Sequence, residues 1–405
     1  MTTPIVKFSS LKNTRLFKEI EIAGHKLDNR LVFCPTSRKR AAPGFFPSNL
    51  QHKYYKDRST KGSLVIVEST FANIEAGVNN FFPSIYTDKH AEGYKVIADS
   101  IHANGGIAAL QLHQLGRVAN PAKNKELNLP FLGVSSKYLN DASKGAAIES
   151  KNELRMMTTE EVKLQQDKYV AACKRAIEIS GFDFVEIHCT SGFLIDQFLQ
   201  PLINNERRDQ YAGSIENRSR YLLEIIDRLI SEIGASKIGI RLGFWSTFQG
   251  SAGASMQPSP LVSFGYILSE LQKRKDEGKG IAYVSIVEPR VSGSSDKDSY
   301  EVEGNNNYPW AFQLWKGPFI RAGGYLSGTT ADNMLNDLNL NDRTLIGVGR
   351  YFTSNPDLVK RLHDGLELTS YQRPTFYTHD DEGYNTWKTV DETEHRKPEL
   401  LKPII

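Results

Sequence analysis

The feature that most constrains this chain is a regular alternation. Eight short apolar runs recur along its length, most of them followed by a stretch with helical periodicity. The runs are apolar throughout, which is typical of strands buried on both faces of a sheet. Eight strands, each leading to a helix, predict an α/β fold with a single (β/α)8 TIM barrel. A doubly wound open sheet is the alternative, but no G-x-G-x-x-G turn follows the first run. The predicted strands are Leu31–Cys34, Leu64–Val67, Ile107–Leu112, Phe182–Ile187, Lys237–Leu242, Ile281–Val287, Pro318–Ala322 and Thr344–Val348.

The rest of the chain is interpreted as part of one domain over residues 1–405. Residues 1–30 are expected to cap the barrel, with a hairpin over Phe17–Arg30 that plugs the mouth opposite the active face. Residues 366–405 form a C-terminal extension that either packs on the barrel or trails from it.

Two long polar segments interrupt the alternation, Gly116–Met157 after the third strand and Glu288–Asn307 after the sixth. Segments of this length without secondary structure are usually lids or disordered regions. Both follow the carboxyl ends of their strands, so we expect both to overhang the active face of the barrel.

Composition excludes several classes of function. The net charge is +3 and the basic residues are scattered, which gives no argument for binding nucleic acid or a membrane surface. No apolar run resembles a signal core or is long enough to span a bilayer. The three cysteines, Cys34, Cys173 and Cys189, have no metal-type spacing, and their odd number favours a reducing, cytoplasmic setting without a bound metal. Cys189 lies beside His188, but a small apolar residue is favoured over a nucleophile there.

Residues at predicted strand ends suggest where chemistry occurs. His188 follows Phe184–Ile187 directly and enters a glycine-containing turn, and barrel enzymes keep their active sites at such ends. Glycines follow strand seven at Ala322–Gly324 and strand eight at Gly347–Arg350. Glycine lets backbone N–H groups approach an anion closely, and arginine supplies a fork of donors, so together they favour a phosphorylated ligand. Tight turns that merely close the barrel are the alternative.

Other polar residues at the same rim suit a flat heterocycle. Arg241 ends strand five, where it forms either a structural ion pair or a contact with a ligand's phosphate or electron-rich ring. Gln111 and His113 end strand three, and Pro35-Thr-Ser37 follows strand one. Each of these residues alone could equally be a buried structural group, and their convergence on one rim favours a ligand site.

The chain resembles the old yellow enzyme family of FMN-dependent ene-reductases, in its yeast branch, over nearly its full length. The resemblance implies a barrel that carries FMN at the carboxyl ends of its strands and takes hydride from NADPH or NADH. It is carried by the segments Pro35–Ala41, Gln111–Ala119, Gly181–His188, Gly192–Leu199, Tyr211–Arg218, Val287–Val291 and Gly349–Pro356.

The resemblance also implies residue roles. Many family members have glycine where this chain has Ser69, and tryptophan or another apolar residue where it has His113. The implied FMN-binding residues are Pro35, Ser37, Ser69, Gln111, Arg241, Gly324, Gly349 and Arg350, and the implied substrate-pocket residues are His113, Phe248, Phe376 and Tyr377.

The implied catalytic set, His188, Ser191 and Phe193, departs from the family pattern. In the family, a histidine paired with asparagine or histidine binds the carbonyl oxygen of an α,β-unsaturated carbonyl, and a tyrosine protonates its α-carbon. Here His188 matches the first donor, Ser191 replaces the second, and Phe193 replaces the tyrosine. We therefore expect impaired or altered ene reduction, with Tyr377, His113 or water as the remaining proton sources.

Two functions remain open at this point. The first is an oxidoreductase that accepts hydride from NAD(P)H and passes it to enones, quinones or oxygen. The second is a flavoprotein that binds phenols or steroids with little ene-reductase activity. A barrel without cofactor, serving as a structural partner, is disfavoured because it would not need Gln111, Arg241, Gly349 and Arg350. The expected partners are small molecules only, and the expected state is a monomer or homodimer.

Overall fold

Eight parallel strands form a closed barrel in the computed structural model, which describes residues 6–288, 309–326 and 331–405. Each strand pairs with the next in chain order, and the eighth pairs with the first. The predicted (β/α)8 fold and all of its strands are confirmed. The strands are β1 (Leu31–Phe33), β2 (Leu64–Phe71), β3 (Ile107–His113), β4 (Phe184–Cys189), β5 (Ile238–Leu242), β6 (Tyr283–Val287), β7 (Phe319–Ala322) and β8 (Thr344–Val348).

Helices surround the barrel and begin at recognisable start signals. Thr158 and Glu161 form a capping box before the helix Thr159–Glu178, each side chain accepting a hydrogen bond from the other's backbone N–H. Within the described residues the helices are α1 (Asn49–Asp57), α2 (Asp88–Ala103), α3 (Pro121–Glu126), α4 (Asp141–Glu149), α5 (Thr159–Glu178), α6 (Leu194–Leu199), α7 (Ile215–Ile233), α8 (Pro260–Asp276), α9 (Pro309–Leu314), α10 (Ala331–Asn339), α11 (Arg350–Ser354) and α12 (Leu358–Asp364).

An N-terminal hairpin closes the mouth of the barrel at the amino ends of the strands. Its two strands, Ile20–Ile22 and His25–Leu27, are antiparallel. Ile22 and Leu27 are fully buried and pack with residues that begin the barrel strands, among them Leu64, Ile107 and Phe184. The predicted plug is confirmed, and within the described residues it leaves the carboxyl ends of the strands as the open mouth of the barrel.

The predicted long segment Gly116–Met157 follows β3, and it is a folded excursion and not a disordered region. It contains α3, α4 and a parallel pair of short strands, Phe131–Gly133 and Leu154–Met156. Its apolar side chains form a small core of their own, against which Phe193 packs. The excursion therefore borders the carboxyl end of β4. In the second predicted loop, Glu288–Asn307, residues 289–307 lie outside the described part of the chain.

The C-terminal segment 366–405 packs on the barrel beside α1. Three buried arginines, Arg38, Arg40 and Arg58, donate to its backbone carbonyls. The Tyr384 ring stacks on Tyr54, with centroids 4.1 Å apart, a contact that contributes about 1 kcal/mol beyond area burial. These bonds fix the segment that carries Phe376 and Tyr377.

Candidate active site

Strand register brings the predicted site residues to neighbouring positions at the carboxyl ends of the strands. Gln111 on β3 lies opposite Glu186 on β4, and His188 on β4 lies opposite Arg241 on β5. All four side chains therefore belong to one end of the barrel, the end that the hairpin leaves open.

A glycine-lined cavity of about 140 Å³ lies between the ends of β1, β7 and β8. Gly323 and Gly324 have φ values of +143° and +70°, conformations that favour glycine. A Cβ atom on Gly349 would lie 2.8 Å from Thr36 Cγ2, so a side chain there would displace the wall. The Oγ1 atom of Thr36 is buried and has no hydrogen-bond partner in the described part of the chain. The cavity is lined by Cys34, Pro35, Thr36, Arg241, Val287, Ala322, Gly323, Gly324, Tyr325, Leu326, Val348, Gly349, Arg350 and Tyr351.

A buried chain of hydrogen bonds joins β2, β3 and β4 beside this cavity. The Ser69 hydroxyl donates to Gln111 Oε1, and Gln111 Nε2 donates to Glu186 Oε1 at 2.6 Å. Burial raises the pKa of Glu186, while Arg241 and Gln111 oppose the rise. Because Glu186 Oε1 accepts from Gln111 Nε2 and Ser69 donates to Gln111 Oε1, the two neighbours together fix the orientation of the Gln111 amide.

Arg241 is held from the opposite side. Its Nη1 atom donates to Ser285 Oγ at 3.2 Å and contacts Cys34 Sγ at 3.6 Å. The nearby Glu186 carboxylate offsets part of its charge. Pro35 and Ser37, at the end of β1, are half-buried. Gln111 and Arg241 thus border the barrel mouth with both donor and acceptor groups.

Two imidazoles and one phenyl ring meet where β3 and β4 end. The Phe193 centroid lies 4.8 Å from His188 and 4.9 Å from His113, and the two histidines are 6.2 Å apart. All three side chains are at least partly buried. His188 faces the hydrocarbon ring of Phe193, which has no proton to donate.

The protonation of His113 follows from its hydrogen bond. Its Nδ1–H donates to the Thr70 carbonyl at 3.1 Å, and its Nε2 atom is buried with no partner within the described ranges. Burial lowers the pKa of His113 to about 3, so the ring is neutral at pH 7 and Nε2 is a lone-pair acceptor. His113 therefore has no proton to donate from Nε2, which argues against it as the replacement acid.

His188 is also neutral. Burial lowers its pKa well below the usual range, with further contributions from His113 and Arg241. Its Nδ1 atom is buried and has no partner among the described residues. One N–H of a neutral imidazole remains to donate to a ligand oxygen.

The turn after β4 is held by hydrogen bonds with the helix that follows it. Ser191 and Gly192 have φ values of +64° and +74°. The Gly192 N–H donates to Asp196 Oδ2 at 2.8 Å, and Gln197 Nε2 donates to the Gly192 carbonyl at 2.8 Å. Among the described residues, the Ser191 hydroxyl makes no hydrogen bond. The turn thus holds its shape independently of Ser191.

The remaining predicted pocket residues lie farther out. Phe376 is buried and packs over the Arg38 guanidinium at 5.3 Å, while Tyr377 is 44% exposed. Phe248 is half-buried in the loop after β5, next to Gln249, which lies against Gly192. In the described part of the chain, none of the three rings contacts His188.

Sequence reasoning did not assign roles to several residues that the structure brings to the site. Thr36 and Cys34 line the cavity, Glu186 orients Gln111, and Asp196 and Gln197 tie down the turn after β4. Glu186 carries a usable signal, because a carboxylate inside an apolar strand requires a partner. Asp196-Gln197 carries the same signal in an apolar helix.

The described residues show neither a metal centre nor a membrane span. No group of three or more His, Cys, Asp or Glu side chains there is arranged to hold a metal ion. No helix in those ranges is long and apolar enough to cross a bilayer. The three cysteines are buried and form no disulfide, and burial raises the pKa of Cys189 well above its usual value.

Comparison with known proteins decides the family. The NADH:flavin oxidoreductase / NADH oxidase family matches residues 15–369. The chain belongs to this family, as an old yellow enzyme relative. It is an FMN-dependent oxidoreductase that uses a reduced nicotinamide as hydride donor.

Individual relatives cover almost the whole chain. A probable NADPH dehydrogenase of Candida albicans is 42% identical over 406 residues, 99% of this chain and 96% of that protein. Enoate reductase 1 of Kluyveromyces lactis is 36% identical over 94% of this chain and 96% of its own length. The crystal structure of Old Yellow Enzyme from Pichia sp. AKU4542 superposes with a TM-score of 0.91 at 43% identity, covering 98% of this chain and 100% of that one.

The residues at the open mouth fit FMN. The glycine cradle, with the orphaned Thr36 hydroxyl, suits a phosphate, and Gln111 presents an amide to a heterocycle's edge. Arg241 supplies positive charge beside it. When bound, the flavin supplies a two-electron carrier between hydride donor and acceptor.

Proposed function

We propose that this protein oxidises NADPH efficiently but reduces α,β-unsaturated carbonyls slowly, so that quinones and oxygen are its faster electron acceptors. The observation that carries the proposal is the Phe193 ring, packed between two neutral imidazoles. A phenyl ring has no transferable proton, and His113 has its only N–H bonded to the Thr70 carbonyl.

In this proposal, the flavin-binding residues divide the work by position. Gly324, Gly349 and Arg350 hold the phosphate, and Gln111, oriented by Ser69 and Glu186, holds the pyrimidine edge. Arg241 stabilises negative charge on the reduced ring, and Pro35 and Ser37 complete the wall. The contacts that support this assignment are the cavity lining and the buried hydrogen-bond chain.

Reduction of an enone adds hydride at the β-carbon and a proton at the α-carbon, and its enolate needs a hydrogen-bond donor at oxygen. His188 can donate one hydrogen bond, and the Ser191 hydroxyl, which has no partner among the residues that the structure describes, is free to donate a second. The loss of one positioned donor to an oxyanion costs about 3 kcal/mol, and the loss of a general acid typically costs about a hundredfold in rate. Reduction of quinones or oxygen needs no general acid at position 193.

Separate half-reactions test the proposal. Anaerobic NADPH should bleach the visible absorbance of the yellow protein within seconds. Menadione should restore the colour at least about tenfold faster than cyclohexenone at equal concentration, given the missing acid. If cyclohexenone restores the colour as fast as menadione, the proposal is wrong.

The second candidate is a flavoprotein that binds phenols or steroids and turns over only incidentally. The unpartnered nitrogen of His188 in a buried pocket favours it, because a buried polar atom gains most from a ligand that bonds it. Slow bleaching by both NADPH and NADH, together with tight binding of p-hydroxybenzaldehyde, would support this alternative.

A further inference from the structure

A cluster of aromatic and basic side chains lies on the rim of the barrel mouth. We define the rim cluster as Lys39, Phe81, Phe82, Tyr377 and His379. The Lys39 ammonium lies 5.8 Å from the Phe82 ring centroid and 5.5 Å from that of Tyr377. Phe81 and Tyr377 are 43% and 44% exposed, so their rings are open to a ligand.

The backbone of the rim cluster is held in an uncommon conformation. Lys39 and Phe81 have φ values of +55° and +65°, which non-glycine residues rarely adopt. The Ala41 N–H donates to the Phe81 carbonyl at 3.2 Å, and His379 Nδ1–H donates to the Lys39 carbonyl at 3.1 Å. The His379 ring stacks on Phe81 with centroids 3.5 Å apart. Such conformations persist where surrounding contacts impose them, and they concentrate at ligand sites.

Lys39 is the exposed cation to consider at this rim, and the acidic residues Asp380, Asp381 and Glu382 follow His379 in the chain. Among the described residues, no carboxylate pairs with Lys39. Arg38 and Arg40 lie on either side of it in the chain and direct their guanidinium groups to backbone carbonyls. The acids that act on these cations are Glu68, which is buried and accepts from the Arg38 N–H, and Asp380. Lys39 is thus available to an anion in solution.

The rim cluster connects to the candidate active site through packed rings. The Phe82 centroid lies 6.2 Å from His113, which in turn lies 6.2 Å from His188. Lys39 lies over the Phe82 ring, at the outer end of this line of packed rings. A ligand that contacts both the flavin region and Lys39 must be long enough to span these rings. A dinucleotide has this length, with an aromatic base and a phosphate at its outer end.

We propose that the rim cluster binds the adenosine half of the hydride donor, with Lys39 pairing with the 2′-phosphate and Phe81 and Tyr377 contacting the adenine, so that NADPH is preferred to NADH. The proposal rests on the proposed function, because it takes a nicotinamide dinucleotide as hydride donor. It assigns the preference for NADPH to Lys39, which has no ion-pair partner among the described residues, and to the exposed rings of Phe81 and Tyr377.

Binding of NADP⁺ and NAD⁺ to the oxidised, FMN-loaded protein tests the proposal without turnover. Isothermal titration should show tighter binding of NADP⁺ than of NAD⁺. Lys39→Gln should weaken NADP⁺ by about fivefold, the effect of one exposed charge-assisted contact, and leave NAD⁺ within about twofold. Lys39→Arg should retain most of the affinity, and added NaCl should weaken NADP⁺ in the wild type but much less in Lys39→Gln.

Lys275→Gln is the matched control. The Lys275 ammonium also lies over an aromatic ring, 5.9 Å from the Trp315 centroid, but in the last turn of α8, which leads to the start of β6. The Lys275→Gln variant should bind NADP⁺ and NAD⁺ as the wild type does. FMN content and the visible spectrum report whether each variant is intact.

Equal binding of NADP⁺ and NAD⁺ by the wild type would overturn the proposal, as would an equal loss of both in Lys39→Gln. If Lys39→Gln does not fold, the salt dependence of the wild type decides, and affinity for NADP⁺ that does not change with salt overturns the proposal. The failure of the proposed function looks different. In that case NADPH and NADH both leave the yellow colour unbleached, whatever residue occupies position 39.

Discussion

The two halves of the barrel mouth differ in how their polar groups are satisfied. On the side of β2, β3 and β5, Gln111 bonds Ser69 and Glu186, and Arg241 bonds Ser285. At the end of β4, the His188 ring has a buried nitrogen without a partner and faces the hydrocarbon ring of Phe193.

This difference supports the proposed separation of the two half-reactions. A fixed polar network is preorganised for charge on a bound ring, which transfer of hydride from NADPH requires. Protonation of an enolate's α-carbon requires a transferable proton at a defined place. The Phe193 ring at the end of β4 has no such proton. The turn nonetheless keeps its bonds to Asp196 and Gln197, so the pocket retains its shape while its chemistry differs.

The largest effect is expected where the phosphate of FMN is proposed to bind. Arg350→Ala removes a charge-assisted fork and should weaken FMN binding by about a hundredfold, because such bonds contribute up to about 3 kcal/mol. Flavin fluorescence during titration of the apoprotein measures it. Arg228→Ala is the control, since Arg228 pairs with Asp167 on the outer helices and is 40% exposed. Unchanged FMN affinity in Arg350→Ala would mean that the glycine turns alone hold the phosphate.

Acid stability should report whether His113, at the end of β3, is buried as a neutral ring. The folded-state pKa of His113 is about 3, below its unfolded value, so protonation favours the unfolded chain. The penalty is absent above about pH 6.5 and grows as the pH falls toward 3, reaching about 2 kcal/mol by pH 4.5. His113→Phe keeps the ring but removes this term, so its free energy of unfolding should fall by about that much less between pH 6.5 and 4.5. Parallel pH profiles would show that His113 is not buried as a neutral ring.

A smaller effect is expected for ligand anchoring at the end of β4. His188→Ala removes a strong donor and should weaken p-hydroxybenzaldehyde by about tenfold, the net value of one hydrogen bond to a charged oxygen. The amplitude of the long-wavelength charge-transfer band against ligand concentration gives the affinity. Ser191→Ala is the comparison and should change it by less. Equal affinity in the wild type and His188→Ala would show that a residue other than His188 binds the phenolate oxygen.

Much of the fold follows from local patterns. Continuous apolar runs indicated every barrel strand, and the hairpin plug followed from two short runs around Gly24. The excursion after β3 was not predicted, because its strands of three residues and short helices are stabilised by a small shared core rather than by periodicity.

The site divides in the same way. The positions of His188, Gln111 and Arg241 at strand ends were predictable, because polar residues at the ends of buried strands are unusual in sequence. Their roles stay a prediction. Hydrogen bonds between strands were not predictable, because the Ser69–Gln111–Glu186 chain depends on strand register. The tautomer of His113 depends on one backbone carbonyl, that of Thr70, which no sequence pattern specifies.

The central claim is that the missing proton donor at position 193 limits enone reduction. Phe193→Tyr adds one hydroxyl to a ring of the same shape, between His113 and His188. In anaerobic stopped-flow experiments on the NADPH-reduced protein, the rate at which cyclohexenone restores the flavin absorbance should rise at least about tenfold in this variant. The rate of bleaching by NADPH and the recolouring by menadione should not change. If the wild type already passes its electrons to cyclohexenone as fast as it takes them from NADPH, and Phe193→Tyr alters nothing, the proton comes from another group and the account is wrong.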